Sequence, residues 1–171
     1  MYEQSVKCAN DDDFWTYYNW QWKSCQIGKK LYITGGEHKP LRCSVLSKSD
    51  SGGYVITERA NMGLPRNEHA ACTYLERYII VSGSEYTNED SAKTVEMYDT
   101  GNNRWERLPD MITPRWGHGS CTAGEKLYVF CGRLVGEGAK ELNSIEVLNL
   151  RTREDGFIEF QNLHNVSLRA M

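Results

Sequence analysis

Three short strings decide the fold of this chain: LYITGG at residues 31–36, YIIVSG at 78–83 and LYVFCG at 127–132. Each is an apolar run that ends in glycine. Their last glycines, Gly36, Gly83 and Gly132, are separated by steps of 47 and 49 residues. Self-similarity at such a period is the signature of a repeated structural unit, and we take these glycines as structural repeat positions.

A second set of residues repeats with the same two steps. Cys25, Cys72 and Cys121 each lie eleven residues before one of the three glycines. The stretches MGLPRNEHAAC (62–72) and MITPRWGHGSC (111–121) carry Met, Pro, Arg, His and Cys in the same order and at the same spacing. An active site rarely occurs in two copies, whereas a structural repeat has several copies by definition. We therefore interpret both stretches as architecture.

Each repeat has the pattern of four short strands. The third copy of the apolar string is hydrophobic on both faces, as expected of a strand that is covered on both sides. In TVEMYD (94–99), Val95 and Met97 alternate with other residues, and TGNNRW then supplies turn residues before Trp105. No segment shows helical periodicity of useful length. Four strands in nearly 50 residues predict an all-β fold built from propeller blades.

This pattern resembles the kelch repeat, which has a hydrophobic strand ending in Gly-Gly, then a Tyr, then a Trp that packs on it. The best copy spans roughly 67–115, with Tyr98 and Trp105 at the aromatic positions and Ser82 in place of the first glycine. The other copies depart from the pattern at three positions: Cys131 for glycine, and Phe157 and Tyr54 for Trp.

The resemblance implies a partial kelch-type β-propeller of about three and a half four-stranded blades. We assign residues 1–18 to the outer half of a blade, 19–66 and 67–115 to one blade each, and 116–171 to a blade and the start of the next. Such an open arc predicts either a longer propeller or a homodimer that completes one. Sedimentation tests this expectation: a well-folded monomer of 19.6 kDa with no exposed apolar edge would show that the repeat count is wrong.

Arg66 and Arg115 are the candidate ligand-binding residues. Each follows a proline in the connection between two repeats. Similar arginines in kelch propellers lie near the central channel, where peptides dock, and a guanidinium group suits a carboxylate or phosphate ligand. The alternative is that both arginines bond to neighbouring carbonyls and hold blade to blade.

The cysteines and histidines predict no catalytic or metal site. The repeated cysteines fit small buried hydrophobes of an inner strand, and no C-x-x-C spacing occurs. His69 and His118 also repeat, and a duplicated histidine fits the capping of a loop or strand end better than catalysis. We expect no metal and no cofactor.

Composition excludes several classes of partner. The net charge of −3 gives no basic surface for nucleic acid, and no apolar run approaches the ~20 residues that span a bilayer. The start has no secretory signal, so we expect a cytoplasmic protein with free thiols.

The resemblance implies a non-catalytic protein-interaction module, an adaptor or scaffold, that binds a partner through loops on one face, with an acidic peptide as a candidate ligand. Two alternatives stay open: a purely structural subunit of a large assembly, and a fragment of a kelch-type propeller enzyme.

Overall fold

The computed structural model describes residues 21–86, 89–136, 138, 140–151 and 159–163. They form three four-stranded antiparallel sheets, which we call blades 1, 2 and 3, each with its strands in chain order. Blade 1 contains β1 (Lys23–Ile27), β2 (Lys30–Thr34), β3 (Cys43–Lys48) and β4 (Tyr54–Glu58). Blade 2 contains β5 (Ala70–Tyr74), β6 (Tyr78–Ser82), β7 (Val95–Asp99) and β8 (Arg104–Leu108). Blade 3 contains β10 (Gly119–Ala123), β11 (Lys126–Phe130), β13 (Ile145–Asn149) and β14 (Gln161–Asn162).

Two small elements lie outside the blades. A two-stranded sheet pairs β9 (Arg115–Trp116) with β12 (Arg133–Leu134), and the guanidinium of Arg133 stacks 5.3 Å from the centre of the Trp116 ring. One short helix, α1 (Glu89–Lys93), lies between β6 and β7. The described part of the chain is therefore all-β apart from one helical turn, as predicted.

The first strand of each blade lies at the inner edge of the arc, because β5 lies beside both β1 and β10. The hydroxyl of Thr122 in β10 donates a hydrogen bond of 2.6 Å to the carbonyl of Thr73 in β5. The three sheets formed by the described residues do not close into a ring. The predicted half-blade at 1–18 and the predicted Trp replacement Phe157 lie outside the described residues.

Packing between blades forms the core. The side chains of a strand alternate between its two faces, and β6 presents Ile79 and Val81 to blade 1 but Ile80 to blade 3. Tyr98 of blade 2 meets Tyr32 of blade 1 with ring centres 6.2 Å apart. β6 is apolar along its whole length because another blade covers each of its two faces.

The strand register corrects the predicted alignment of the repeat glycines. Gly35 directly follows β2, and Gly83 directly follows β6, so these two glycines correspond. The expectation that Gly83 corresponds to Gly36 is wrong by one residue. The reason is the turn between β5 and β6, which has three residues (75–77), whereas the turn between β1 and β2 has two. Gly132 does correspond to Gly36.

Left-handed backbone marks the true equivalents of the first glycine. The φ angle is +64° at Gly35, +70° at Gly83 and +61° at Cys131. A Cβ on Gly83 would lie only 2.3 Å from the carbonyl oxygen of Arg115, because the connection to the next blade crosses this point. Glycine is required here by both conformation and space.

Replacing Gly83 with Ala should lower the free energy of unfolding by about 2–4 kcal/mol, because the methyl group adds a clash to the strain of a left-handed residue. The matched control is Gly28→Ala in the β1–β2 turn, where φ is +56° but nothing lies within 4 Å of the added Cβ. We expect a loss of about 1 kcal/mol for the control. Urea denaturation measures both, and equal losses would contradict the packing argument.

Candidate functional site

Arg66 reaches from the connection after blade 1 into blade 2. Its guanidinium donates to the carboxylate of Glu96 in β7, with Nη2 at 2.8 Å, and to the carbonyls of Gly83 and Thr94 at 3.0 and 3.1 Å. Nη2 also donates to the hydroxyl of Thr94 at 2.8 Å. The side chain of Arg66 has no exposed surface, and that of Glu96 is 6% exposed. Arg66 and Glu96 therefore form a buried ion pair, and nearly every N–H group of the guanidinium donates a hydrogen bond.

Arg115 repeats the arrangement one blade further on. Its Nη2 lies 2.5 Å from the carboxylate of Glu146 in β13, and its Nη1 donates to the carbonyl of Cys131 at 2.9 Å. Ser144 takes the place of Thr94 and accepts from Nη2 at 3.2 Å. Both side chains of the ion pair are fully buried. The two arginines therefore occupy equivalent positions in successive blades, as predicted.

The carboxylates also fix the backbone that carries the arginines. Glu96 accepts a hydrogen bond of 2.7 Å from the amide of Gly63. Glu146 accepts from the amides of Ile112 and Thr113 at 2.7 and 3.0 Å. Each glutamate thus binds both the guanidinium and the start of the same M-x-x-P-R segment, which closes a loop of hydrogen bonds between blades.

The backbone of each arginine is bonded to the blade before it. The carbonyl of Arg66 accepts from the amide of Gly36, and the carbonyl of Arg115 accepts from the amide of Ser84, at 3.0 and 3.3 Å. Side chain and main chain of one residue therefore connect two successive blades. Neither side chain has exposed surface, so Arg66 and Arg115 do not offer the expected ligand-binding groups. They hold blade to blade, which was the alternative interpretation.

The sequence interpretation missed the partners of these arginines. Glu96 and Glu146 lie in the strings TVEMY and SIEVL, where the glutamate looks like the solvent-facing residue of an alternating strand. The available signal was their spacing: both glutamates fall 30 or 31 residues after an arginine that itself repeats.

The repeated histidines form a second contact between blades. Nε2 of His69 lies 2.9 Å from the hydroxyl of Thr34, and Nε2 of His118 lies 2.8 Å from the hydroxyl of Ser82. In each case the histidine directly precedes the first strand of one blade. The hydroxyl belongs to the last residue of the second strand of the preceding blade. Burial, reinforced by the charge of Arg115, lowers the pKa of His118 to about 3, and burial also lowers the pKa of His69 well below its ordinary value. Both rings are neutral in the folded protein at neutral pH.

A third contact runs through the backbone at the same end of the blades. Gln21, Glu68 and Gly117 hold equivalent positions, and all three have left-handed φ angles, of 71°, 47° and 59°. The amide of Glu68 donates to the carbonyl of Gln21 at 3.3 Å, and the amide of Gly117 donates to the carbonyl of Glu68 at 2.8 Å. A chain of peptide hydrogen bonds thus passes from blade to blade.

Tyr98 and Trp105 hold the outer edge of the first junction. Their rings lie 4.9 Å apart. The indole nitrogen of Trp105 donates to the carbonyl of Ala60 at 2.7 Å, while Asn103 accepts from the amide of Ala60 at 2.9 Å and from the hydroxyl of Tyr98 at 2.6 Å. These aromatic repeat residues therefore clamp the segment that leaves blade 1.

The described cysteines are free thiols, and three of them, Cys25, Cys43 and Cys72, are buried or half-buried. Burial raises the pKa of Cys25 and of Cys43 to about 12, and that of Cys72 to about 11. A thiolate is the nucleophilic and metal-binding form, so these thiols are poor nucleophiles at neutral pH.

Within the described residues no group of three or more His, Cys, Asp or Glu side chains is arranged to hold a metal ion. No helix in this part of the chain is long and apolar enough to cross a membrane.

Comparison with known proteins identifies the repeat. The family model of the kelch motif matches residues 65–112. The chain belongs to the kelch-repeat family. Kelch-like protein 25 of Xenopus tropicalis is 30% identical over 116 residues, which are 68% of this chain and 19% of that protein. Acyl-CoA-binding domain-containing protein 5 of Arabidopsis thaliana is 32% identical over 132 residues, which are 74% of this chain and 20% of that protein.

The kelch repeats here span about a fifth of the length of these relatives. Among solved structures, the kelch-type propeller YjhT is similar, with a TM-score of 0.66 and 14% sequence identity over 82% of this chain and 50% of that chain. The predicted fold class, kelch-type propeller blades, is confirmed. Kelch repeats are commonly protein-interaction modules.

Replacing Glu146 with Gln should lower the free energy of unfolding by about 3–5 kcal/mol, because the charge of Arg115 stays buried without its carboxylate. The matched control is Asp110→Asn, which breaks the exposed pair of Arg107 and Asp110 and should cost at most about 1 kcal/mol. Denaturant unfolding of both variants tests this, and losses of the same size would show that burial of the pair is unimportant.

Lowering the pH should decrease the free energy of unfolding through the two buried histidines. Since burial depresses the folded-state pKa of His118 from 6.5 to about 3, its contribution is complete above pH 6.5 and is lost as the pH falls towards 3. Each such histidine lowers the free energy of unfolding by about 1.4 kcal/mol per pH unit below 6.5. Urea denaturation of the wild type and of His118→Gln between pH 7.5 and 4.5 measures this slope. The variant should lose stability less steeply, while His38→Gln, at an exposed residue, should follow the wild type; parallel slopes for all three proteins would refute the assignment.

Proposed function

We propose that this chain is a non-catalytic kelch-type interaction module, an adaptor or scaffold, that binds a protein partner through the loops at one end of its blades. The observation that carries the proposal is that the buried polar and charged side chains are used to join blades. Arg66 and Arg115 with their glutamates, and the two buried histidines, are committed to joining blades. The same contacts hold the loops that leave the second and fourth strands of blade 1 in fixed positions, with exposed side chains beyond them.

Loops of adjacent blades also bond to each other at this end. Asn67 donates to Gln21 at 2.9 Å and to the carboxylate of Glu85 at 3.2 Å, and the hydroxyl of Tyr86 donates to the carbonyl of Glu37 at 3.3 Å. Binding orders less of the protein when the loops are already fixed, so a rigid loop surface favours affinity. This continuous surface supports a protein ligand over a small substrate.

The side chains that usually carry catalysis support the absence of an enzymatic role. The repeated histidines are neutral and bonded to Thr34 and Ser82, and the buried thiols of Cys25 and Cys43 have raised pKa values. Free thiols also favour the reducing cytoplasm as the compartment, which imaging of the tagged protein in cells would test.

A structural role is the second candidate, and the outer flank of blade 3 favours it. Cys121 and Phe130 are exposed there, whereas the corresponding residue Cys72 in blade 2 is half-buried against its neighbour. Another blade, from further chain or from a second copy, would cover this flank. An acidic peptide remains the candidate ligand of the loops.

A loop exchange tests the proposed function. Proteins captured from extracts on the immobilised chain are purified, and their affinities are measured for two variants. One variant replaces residues 37–41, between β2 and β3, with glycine and serine. The control variant replaces residues 49–53, between β3 and β4 at the opposite end of the blade. We expect affinity to fall about tenfold or more for the first variant and to change little for the control. Failure to find any purified protein that binds, or loss of binding only in the control, would refute the proposal.

A further inference from the structure

The last strand of each blade has one edge that no other described strand covers. In the described part of the chain, β4 pairs only with β3, β8 only with β7 and β14 only with β13. Because the first strands lie at the inner edge of the arc, these open edges lie on its outer rim. An open edge is a row of unpaired N–H and C=O groups that can pair with another strand, and proteins usually protect it.

Two of the three open edges are protected, and β4 is not. Three charged residues, Arg104, Glu106 and Arg107, lie in β8, and β14 has only two residues. The sequence of β4 is Tyr-Val-Ile-Thr-Glu, with its only charge at the last residue. Tyr54 and Val55 are 39% and 37% exposed. Aromatic and β-branched residues favour strand pairing, so β4 lacks the charges and the shortness that prevent it.

The hydrogen bonds of blade 1 show which peptide groups of β4 point to the open edge. The amide of Arg59 donates to the carbonyl of Cys43, and the amide of Ser49 donates to the carbonyl of Gly53, both at 2.8 Å. In an antiparallel pair, residues that bond to the partner strand alternate with residues whose peptide groups point away from it. Because Gly53 and Arg59 bond towards β3, every second residue between them does so as well. The residues whose N–H and C=O groups point to the open edge are Tyr54, Ile56 and Glu58.

A second copy of β4 fits this edge in an antiparallel arrangement. With a two-fold axis at Ile56, both strands are paired along their full length: Ile56 lies opposite its own copy, Tyr54 opposite Glu58, and Val55 opposite Thr57. The outward-pointing peptide groups of the two copies then face each other, and no side chain lies opposite a like charge. Axes nearer either end of β4 leave part of each strand unpaired.

The same arrangement is unfavourable for β8. A two-fold axis at its central residue would place the carboxylates of two copies of Glu106 opposite each other, and like charges in this position are destabilising. Charge complementarity therefore favours β4 over β8 as the strand that pairs with its own copy.

We propose that two copies of this chain form a dimer through antiparallel pairing of their β4 strands. Each copy uses the same edge, so the contact is closed and no third copy adds to it. The contact lies on the outer rim and does not depend on the proposed binding surface at the loops. It also differs from a homodimer that completes the ring of blades, because it joins rims and not the flanks of the end blades.

Sedimentation velocity and amide hydrogen exchange over a concentration series of the full chain test the dimer. Sedimentation should show a monomer–dimer equilibrium. In dilute protein the amides of Tyr54, Ile56 and Glu58 should exchange fast, and they should become protected as the concentration rises, whereas those of Val55 and Thr57 are protected throughout.

Three results would overturn the proposal. The first is a monomer at every concentration, and the second is a dimer that protects other amides and leaves β4 unchanged. The third is protection of the three outward-pointing amides at every concentration, which would show that another part of the same chain covers the edge.

Substitution at the two-fold axis tests the register. Ile56→Lys and Ile56→Glu should each weaken association about tenfold, because each variant places like charges opposite each other, and a mixture of the two variants should regain it. The matched control is Glu106→Lys, at the central residue of β8, which should leave association unchanged. A mixture that associates no better than either variant alone, or an equal loss in the control, would refute the β4 contact.

Tyr54→Pro supplies a second test if the Ile56 variants do not fold. Proline is tolerated at an edge where the amide points away from the sheet, so the blade keeps its hydrogen bonds to β3 while each copy loses one donor to the other. Association should weaken about tenfold. Unchanged association of this variant would show that the edge of β4 is not the contact.

Discussion

The arc depends on a guanidinium group that the connections before blades 2 and 3 insert into the blade that follows. A buried cation is costly unless a carboxylate and further acceptors surround it, and Arg66 and Arg115 each meet a glutamate and two carbonyls of the next blade. These acceptors are in place only when the second and third strands of that blade are correctly paired. The ion pair therefore forms only when the connection is correctly placed and the strands of the next blade are in the correct register. An apolar contact does not depend on the register with the same specificity.

The repeat made the fold predictable, because apolar strings, glycines and aromatic residues at one period leave few architectures open. The partners of the arginines were not predictable in the same way. In an ordinary half-buried strand, Glu96 between two apolar residues would face solvent. Here both faces of the sheet are covered, so the alternation of polarity carries no information about exposure. The role of the glutamate depends on an arginine 30 residues earlier, and local pattern does not contain that distance.

Spacing alone also misplaced one glycine. The steps between repeats do not show where a residue is added, and it lies in the tight turn of residues 75–77, where Leu75 and Glu76 both take left-handed conformations. Glycine normally marks such positions, and its absence concealed the insertion. The same reasoning applies to Cys131, which is left-handed without being glycine. The left-handed conformation is therefore kept at this position in all three blades, whereas the residue type is not.

Blade 1 shows what happens where the ion pair is absent. Ser44 stands in β3 where Glu96 and Glu146 stand in the other blades, and it is fully buried. Two residues before Gln21, where the other two blades are preceded by Arg66 and Arg115, the sequence has Asn19. The joint absence follows from electrostatics, since either charge alone would be buried without compensation. In place of a buried ion pair, the hydroxyl of Ser44 donates a hydrogen bond of 3.1 Å to Glu58 in β4, which also pairs with Arg42.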